Sequence, residues 1–185
     1  PYPGPPSEES TAHHHPATPE TILFLPNAGL VLLAPFLGPF FRKTGLLHDR
    51  AFPSEAARAR AMLLTQYLVD GRCEHGEQIL PLNKLLCGWP LHRTLERELD
   101  LTEMEQEEAE DLLQSVITHW QALGNTSVAG LRQSFLQREG RLEPAPGADH
   151  LTVERRGIDA LLEKLPWSIS LIRLPWMKQP LHVEW

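Results

Sequence analysis

Asn125-Thr126-Ser127-Val128-Ala129-Gly130-Leu131-Arg132-Gln133-Ser134-Phe135-Leu136-Gln137-Arg138-Glu139-Gly140-Arg141-Leu142 divides the chain into two kinds of pattern. The stretch reads as a helix. Thr126 or Ser127 can accept a hydrogen bond from the free N–H groups of the first turn. Val128, Leu131, Phe135 and Leu136 then share one face. Gly140 is placed to take the left-handed conformation that closes a helix. Arg138 suits the last turn, and for it and Arg141 pairing with the helix end or with a carboxylate is expected. Before this stretch the apolar residues recur at helical spacing; after it they alternate. It is therefore the joint of an α+β fold, a mainly helical bundle followed by a small antiparallel β-sheet.

Working back from the joint, Thr102 to Leu123 reads as the longest helix. Thr102 with Glu105 makes a capping box, and Ala109, Leu112, Leu113, Val116, Ile117, Trp120 and Leu123 form a wide apolar stripe. Gly124 and Asn125 stop it. Leu80 to Gly88 is a short apolar helix with Pro81 in its first turn, carrying Asn83 and Lys84 as its polar residues. Ser54 to Asp70 is another helix, capped by Ser54 and ended by Gly71. Ala57, Ala61, Leu64 and Leu68 make its apolar face.

Ile22 to Phe41 carries no charge and is about as long as a membrane-spanning helix. Pro26, Pro35 and Pro39 interrupt it, however, so the expectation is an element buried in protein rather than a span. A short helix starting at Asn27, its N-cap, and broken near Pro35 to Pro39 fits the pattern. Its apolar residues Leu30, Leu33, Phe36 and Phe40 are candidate interface positions.

Beyond the joint, Arg141 to Glu143 and Leu151 to Glu154 read as strands around the turn Pro144-Ala145-Pro146-Gly147. Ile158 to Leu165 is a helical turn, Ser168 to Leu174 a third strand, and Leu181 to Trp185 alternates again. Trp167, Trp176 and Trp185 cluster here with prolines, as a core or a binding surface would. They complete the set of candidate interface residues.

The chain has 185 residues, and 42% of them are hydrophobic. That supports one domain, residues 21–185, with a helical part 21–140 and a β-rich part 141–185. Residues 1–20 are rich in Pro, Ser, Thr and Glu and read as a disordered linker or tail, with His13, His14 and His15 incidental within it. The chain begins at Pro1 rather than Met, as a fragment or processed product would, and no basic segment precedes an apolar run in the manner of a secretory signal.

Net charge is −7, which sets the chain against nucleic-acid binding. The stretch Glu96 to Asp111 alone carries −8, Arg97 alone opposing Glu96, Glu98, Asp100, Glu103, Glu105, Glu107, Glu108, Glu110 and Asp111, so the rest of the chain sums to +1. Such a run is either a solvated helix start, favoured by the helix dipole, or a docking face for a basic partner.

Motifs for catalysis are missing. There is no G-x-S-x-G, H-E-x-x-H, P-loop or G-x-G-x-x-G. His48-Asp49 has no nucleophile beside it, and His119 next to Trp120 reads as structural. Cys73, His75, Cys87 and His92 are zinc-type residues at spacings unlike those of zinc sites. Neither a catalytic residue, a cofactor nor a metal is therefore expected, and an enzyme or zinc domain ranks behind an interaction module.

Short words along the chain do carry a resemblance. They are Asn27-Ala28-Gly29-Leu30-Val31-Leu32-Leu33-Ala34-Pro35-Phe36-Leu37, Gln66-Tyr67-Leu68-Val69, Leu82-Asn83-Lys84-Leu85-Leu86-Cys87-Gly88, His119-Trp120, Asn125-Thr126-Ser127, Phe135-Leu136-Gln137-Arg138-Glu139-Gly140, Leu165-Pro166-Trp167 and Ile172-Arg173-Leu174-Pro175-Trp176-Met177. In this order they resemble the C-terminal domain of tape measure proteins of bacterial contractile injection systems. The resemblance covers Ile22 to Trp185. It implies a structural protein without cofactor that binds the baseplate hub and inner tube proteins. It further implies a homo-oligomer, trimer or hexamer, found in the bacterial cytoplasm during assembly and then inside the particle. At this length, without a long helical ruler, the chain would be one end of a longer protein. A free-standing protein-interaction adaptor is the alternative reading.

Overall fold

The computed structural model describes residues 21–95 and 100–185. The expected tail 1–20 with its histidines, and Glu96, Arg97 and Glu98 of the acidic run, lie outside the described residues.

The centre of the helical layer is α2, Glu55–Asp70. Ser54 starts it by accepting the Ala57 N–H at 3.1 Å, and Gly71 ends it at φ 71°, where a side chain would be strained. Every residue from Ala61 to Val69 is buried. Helical periodicity found one apolar face; the helix is in fact enclosed on nearly all sides. Packed around it are α3 (Pro81–Leu86), α4 (Glu103–His119) and the joint. The expected capping box of α4 is present: Thr102 Oγ1 accepts the Glu105 N–H, and Glu105 accepts the Thr102 N–H at 2.8 Å.

The apolar run takes a course the sequence did not predict. Leu23–Leu25 is a strand, β1. Ala28–Leu33 is a 3₁₀ turn with every residue buried, and Ala34–Lys43 is α1. Pro35 does not break a helix but begins one, because a first-turn N–H has no helical partner to lose. Pro39 sits inside α1, which continues past it to Lys43. Asn27 stands at the N-cap position of the 3₁₀ turn, but its side chain makes no capping bond there. Its fully buried Nδ2 shares two hydrogens among three acceptors, Gln66 Oε1 at 2.7 Å, Asn83 Oδ1 at 2.8 Å and the Ile79 carbonyl at 3.0 Å. Asn83 in turn donates to Thr65 Oγ1 at 2.9 Å. Buried amides cost free energy unless paired, so this cluster fixes the 3₁₀ turn against α2 and α3.

The joint begins as expected, with Ser127 accepting the Gly130 N–H at 3.0 Å. The helix is short, however: α5 is Val128–Leu131, and a π turn over Arg132–Leu136 follows. Gly140 is not a left-handed helix stop. It opens strand β2, Gly140–Glu143. Its need for glycine is spatial, since an added Cβ would lie 2.3 Å from the Cβ of Ala28. Gly29 is under the same constraint, because its Cβ would meet the Phe135 carbonyl oxygen at 1.7 Å. Bare backbone on both sides lets the 3₁₀ turn lie directly on the joint.

The sheet has the order β1-β2-β3-β5-β4, with β3 at Asp149–Val153, β4 at Leu171–Ile172 and β5 at Leu181–Glu184. The α+β expectation holds, with one departure: β3 and β5 pair in parallel, so the sheet is mixed rather than wholly antiparallel. The strand expected over Ser168 to Leu174 shrinks to two residues. Leu25, Leu142, Leu151, Val153, Leu181 and Val183 point inward and are buried.

Arg138 holds the two layers together. Its side chain is fully buried. Nε donates to the Ser134 carbonyl at 2.7 Å, and the guanidinium meets both oxygens of Asp159 at 2.6 and 3.1 Å and the Glu154 carbonyl at 3.0 Å. The rings of Phe135 and Trp185 lie on it at 5.5 and 5.4 Å. Its own carbonyl accepts the Ala28 N–H at 2.9 Å. Burial pushes the Asp159 carboxyl up, but hydrogen bonds from Arg138, the Arg156 N–H and Trp185 outweigh that and hold it below its ordinary value.

Arg138→Ala is predicted to cost about 3–5 kcal/mol in urea unfolding, because it strands the Asp159 charge. Asp159 contributes stability that is complete above the ordinary carboxylate value of about 3.9 and is lost as pH falls through its lower folded value. In Asp159→Asn this part of the acid loss should be gone.

Candidate docking surface

The seven residues marked by sequence separate into enclosed and accessible sets. Leu30 and Leu33 are fully buried and Phe40 is 4% exposed, so in this fold they are core side chains. Phe36, Trp167, Trp176 and Trp185 are half-buried and keep part of each ring at the surface.

The tryptophans also fasten the chain to itself. Trp167 donates to the Leu32 carbonyl at 3.0 Å, Trp176 to Leu86 at 2.7 Å and Trp185 to Asp159 at 3.1 Å. Trp120 donates to Leu161 at 3.2 Å and Trp89 to Arg93 at 3.0 Å. All five indole N–H groups of the chain thus find a partner within it. The proline-bracketed words Pro166-Trp167 and Pro175-Trp176 pin the C-terminal segment across the helical layer. These rings therefore do the work of a core while remaining partly exposed.

Phe36 leads to a groove between α1 and α4 of about 190 Å³. Phe36, Pro39, Phe40 and Leu112 give it an apolar floor. Lys43, Glu108 and Asp111 form its rim, with Lys43 and Glu108 paired at 2.5 Å. Trp167 meets Phe36 edge-on at 4.9 Å between ring centroids, and the His119 ring lies 6.0 Å away. Two features that are far apart in sequence, the apolar run and the acidic helix, are thereby joined in one surface.

The acidic helix itself divides by face. Glu105 binds Arg60 on α2, Glu108 binds Lys43 on α1, and Glu110 binds Arg132 of the joint at 2.6 Å. Burial pushes the Glu105 carboxyl up, but hydrogen bonds from Arg60 and Thr102 outweigh it and leave it lowered. These three carboxylates tie α4 to its neighbours. Glu103, Glu107 and Asp111 recur at four-residue spacing along an exposed stripe. They border a second recess, against Tyr67. One side of the helix is thus tied to its neighbours, and the other stands in solvent.

The zinc-type residues do not form a site. Cys87 is fully buried, and burial pushes its thiol far above the ordinary range. Cys73 is exposed, and a ring nitrogen of His75 lies 2.7 Å from the Arg72 carbonyl. Among the described residues no group of three or more His, Cys, Asp or Glu side chains could hold a metal ion. No helix among them is long and apolar enough to cross a membrane.

A sequence model of the contractile injection system tape measure protein family matches residues 3–185. The chain belongs to that family, whose members are structural rather than enzymatic. No curated protein and no solved structure matches the chain.

Trp167→Phe keeps the ring but removes the bond to Leu32, leaving a buried carbonyl without its donor. Thermal unfolding of the isolated chain should show a loss of about 1–3 kcal/mol. A tryptophan serving only a partner would leave the isolated chain unchanged.

Proposed function

We propose that this chain is an assembly module of a tape measure protein, acting by contact with the baseplate hub and inner tube rather than by chemistry. The family match over residues 3–185 supports a structural role in the particle. The observation that carries the docking reading is the α1–α4 groove, whose apolar floor and carboxylate rim offer a seat for an apolar side chain flanked by basic groups. Phe36 and Trp167 are its accessible anchors, with Trp176 and Trp185 as further half-exposed rings on the C-terminal segment. Leu30, Leu33 and Phe40 support the anchors from within.

In this reading residues 21–185 act as one unit. The assembled form follows the threefold or sixfold symmetry of the particle. The module is made in the bacterial cytoplasm and ends inside the particle.

Binding of the purified chain to purified hub and tube proteins, measured by interferometry, tests the reading. At least one of them should bind. Asp111→Lys, at an exposed rim position, should weaken binding about tenfold, as loss and reversal of one interfacial charge does. Binding to neither protein, or binding indifferent to Asp111 and to Phe36→Ser alike, would contradict it.

A further inference from the structure

The α1–α4 groove has two unlike ends. Phe36, Phe40 and Lys43 face it from α1, and Glu108, Asp111 and Leu112 from α4, each set at the spacing that lines one side of a helix. The two helices run in opposite directions. Phe36, near the start of α1, meets the ring of His119, the last residue of α4; Lys43, the last residue of α1, meets Glu108 in the first half of α4. The groove is therefore apolar at the Phe36 end and charged at the Lys43 end. Phe36 and Lys43 stand two turns apart on α1, about 10 Å.

The charged end is unequally built. The Glu108 side chain is 20% exposed and the Lys43 side chain 61%. The carboxylate is thus held in the wall of the groove, and the ammonium reaches it from solvent at 2.5 Å. Hydrogen bonding to Glu108, together with the charges of Glu108 and Asp111, raises the Lys43 ammonium above its ordinary value. Among the described residues that line the groove, Lys43 is the one cation against two carboxylates. Residues 1–20 hold no lysine or arginine that could take its place.

A basic group entering the groove finds Lys43 already on the carboxylate it needs. A solvated lysine pair is worth little and yields easily. An arginine has the advantage over it, because its planar fork bonds both carboxylate oxygens at once, where an ammonium acts as a point charge. A partner with an apolar group alone gains nothing from the rim, which Lys43 keeps partly neutralised. The intramolecular pair therefore discriminates among partners at the charged end.

We propose that Lys43 is an internal competitor for the groove, holding on Glu108 the place that a partner's arginine takes on docking. This rests on the hub and tube reading of the groove and adds to it the chemistry of the docking group: an apolar anchor at the Phe36 end and a guanidinium about 10 Å away at Glu108.

Interferometry against the purified hub and tube proteins, with the side chain at position 43 varied, tests it. Lys43→Met keeps the apolar stem and frees Glu108, and it should bind about three- to fivefold tighter than the parent, as the worth of a surface ion pair allows. Lys43→Arg grips Glu108 more firmly and should bind about twofold weaker. Glu108→Gln removes the seat and should bind about tenfold weaker, and in its background most of the gain from Lys43→Met should vanish. A lysine that merely fastened α1 to α4 would lower the thermal midpoint when changed to Met and would leave binding no tighter. If the parent binds while Lys43→Met is no tighter, or Lys43→Arg is tighter, the competitor role is overturned and the hub and tube reading stands. Binding by neither the parent nor any variant overturns both.

Discussion

Arg138 places a full positive charge where no water reaches it, and much of the fold is arranged to make that tolerable. Four of its contacts are hydrogen bonds, two of them to the Asp159 carboxylate, and two aromatic rings cover its planar faces. Buried ion pairs give little net stability over an apolar replacement, but they penalise any arrangement that separates the partners. Here the partners come from the end of the helical part and from the 3₁₀ segment Gly157–Lys164 beyond β3. The pair therefore specifies how the two layers meet. Trp185 is drawn in by the same carboxylate. Ala28 is drawn in by the Arg138 carbonyl, which sets the 3₁₀ turn on the joint where Gly29 and Gly140 leave room for it.

Local chemistry made several elements legible. The caps of α2 and α4 were readable because their hydrogen bonds run to residues three positions away. β3 and β5 were readable because one face of each is solvated and the alternation survives. β1 was hidden, since a three-residue strand of Leu-Phe-Leu inside an apolar run shows no alternation that would set it apart from a helix. Pro35 was misread because proline breaks a helix interior but suits its first turn, and sequence alone did not fix where that turn began. The parallel pairing of β3 with β5 was invisible, because alternation describes a strand's faces and not its neighbour's direction. Gly140 was assigned to φ when its actual reason is a neighbour more than a hundred residues away, Ala28.

The candidate docking surface was legible in part for the same reasons. Composition marked the apolar run and the acidic run, and both line the α1–α4 groove. It could not separate Phe36, which reaches the surface, from Leu30 and Leu33, which do not, because the run is apolar on every side. Nor could it show that Glu105, Glu108 and Glu110 are engaged by Arg60, Lys43 and Arg132. Those partners lie between 22 and 65 residues away in sequence. Indole N–H bonds fasten the C-terminal segment to the helical layer, and the α1–α4 groove and the acidic stripe lie at the surface.

Native-state hydrogen exchange tests most directly whether the helical and β-rich parts behave as one unit through this clamp. The amides of Leu142, Leu151 and Val183 in the sheet should open with the same free energy as those of Leu64 and Leu68 in α2, and with the same denaturant dependence. Sheet amides that exchange through a separate opening of much lower free energy, while α2 stays protected, would contradict it.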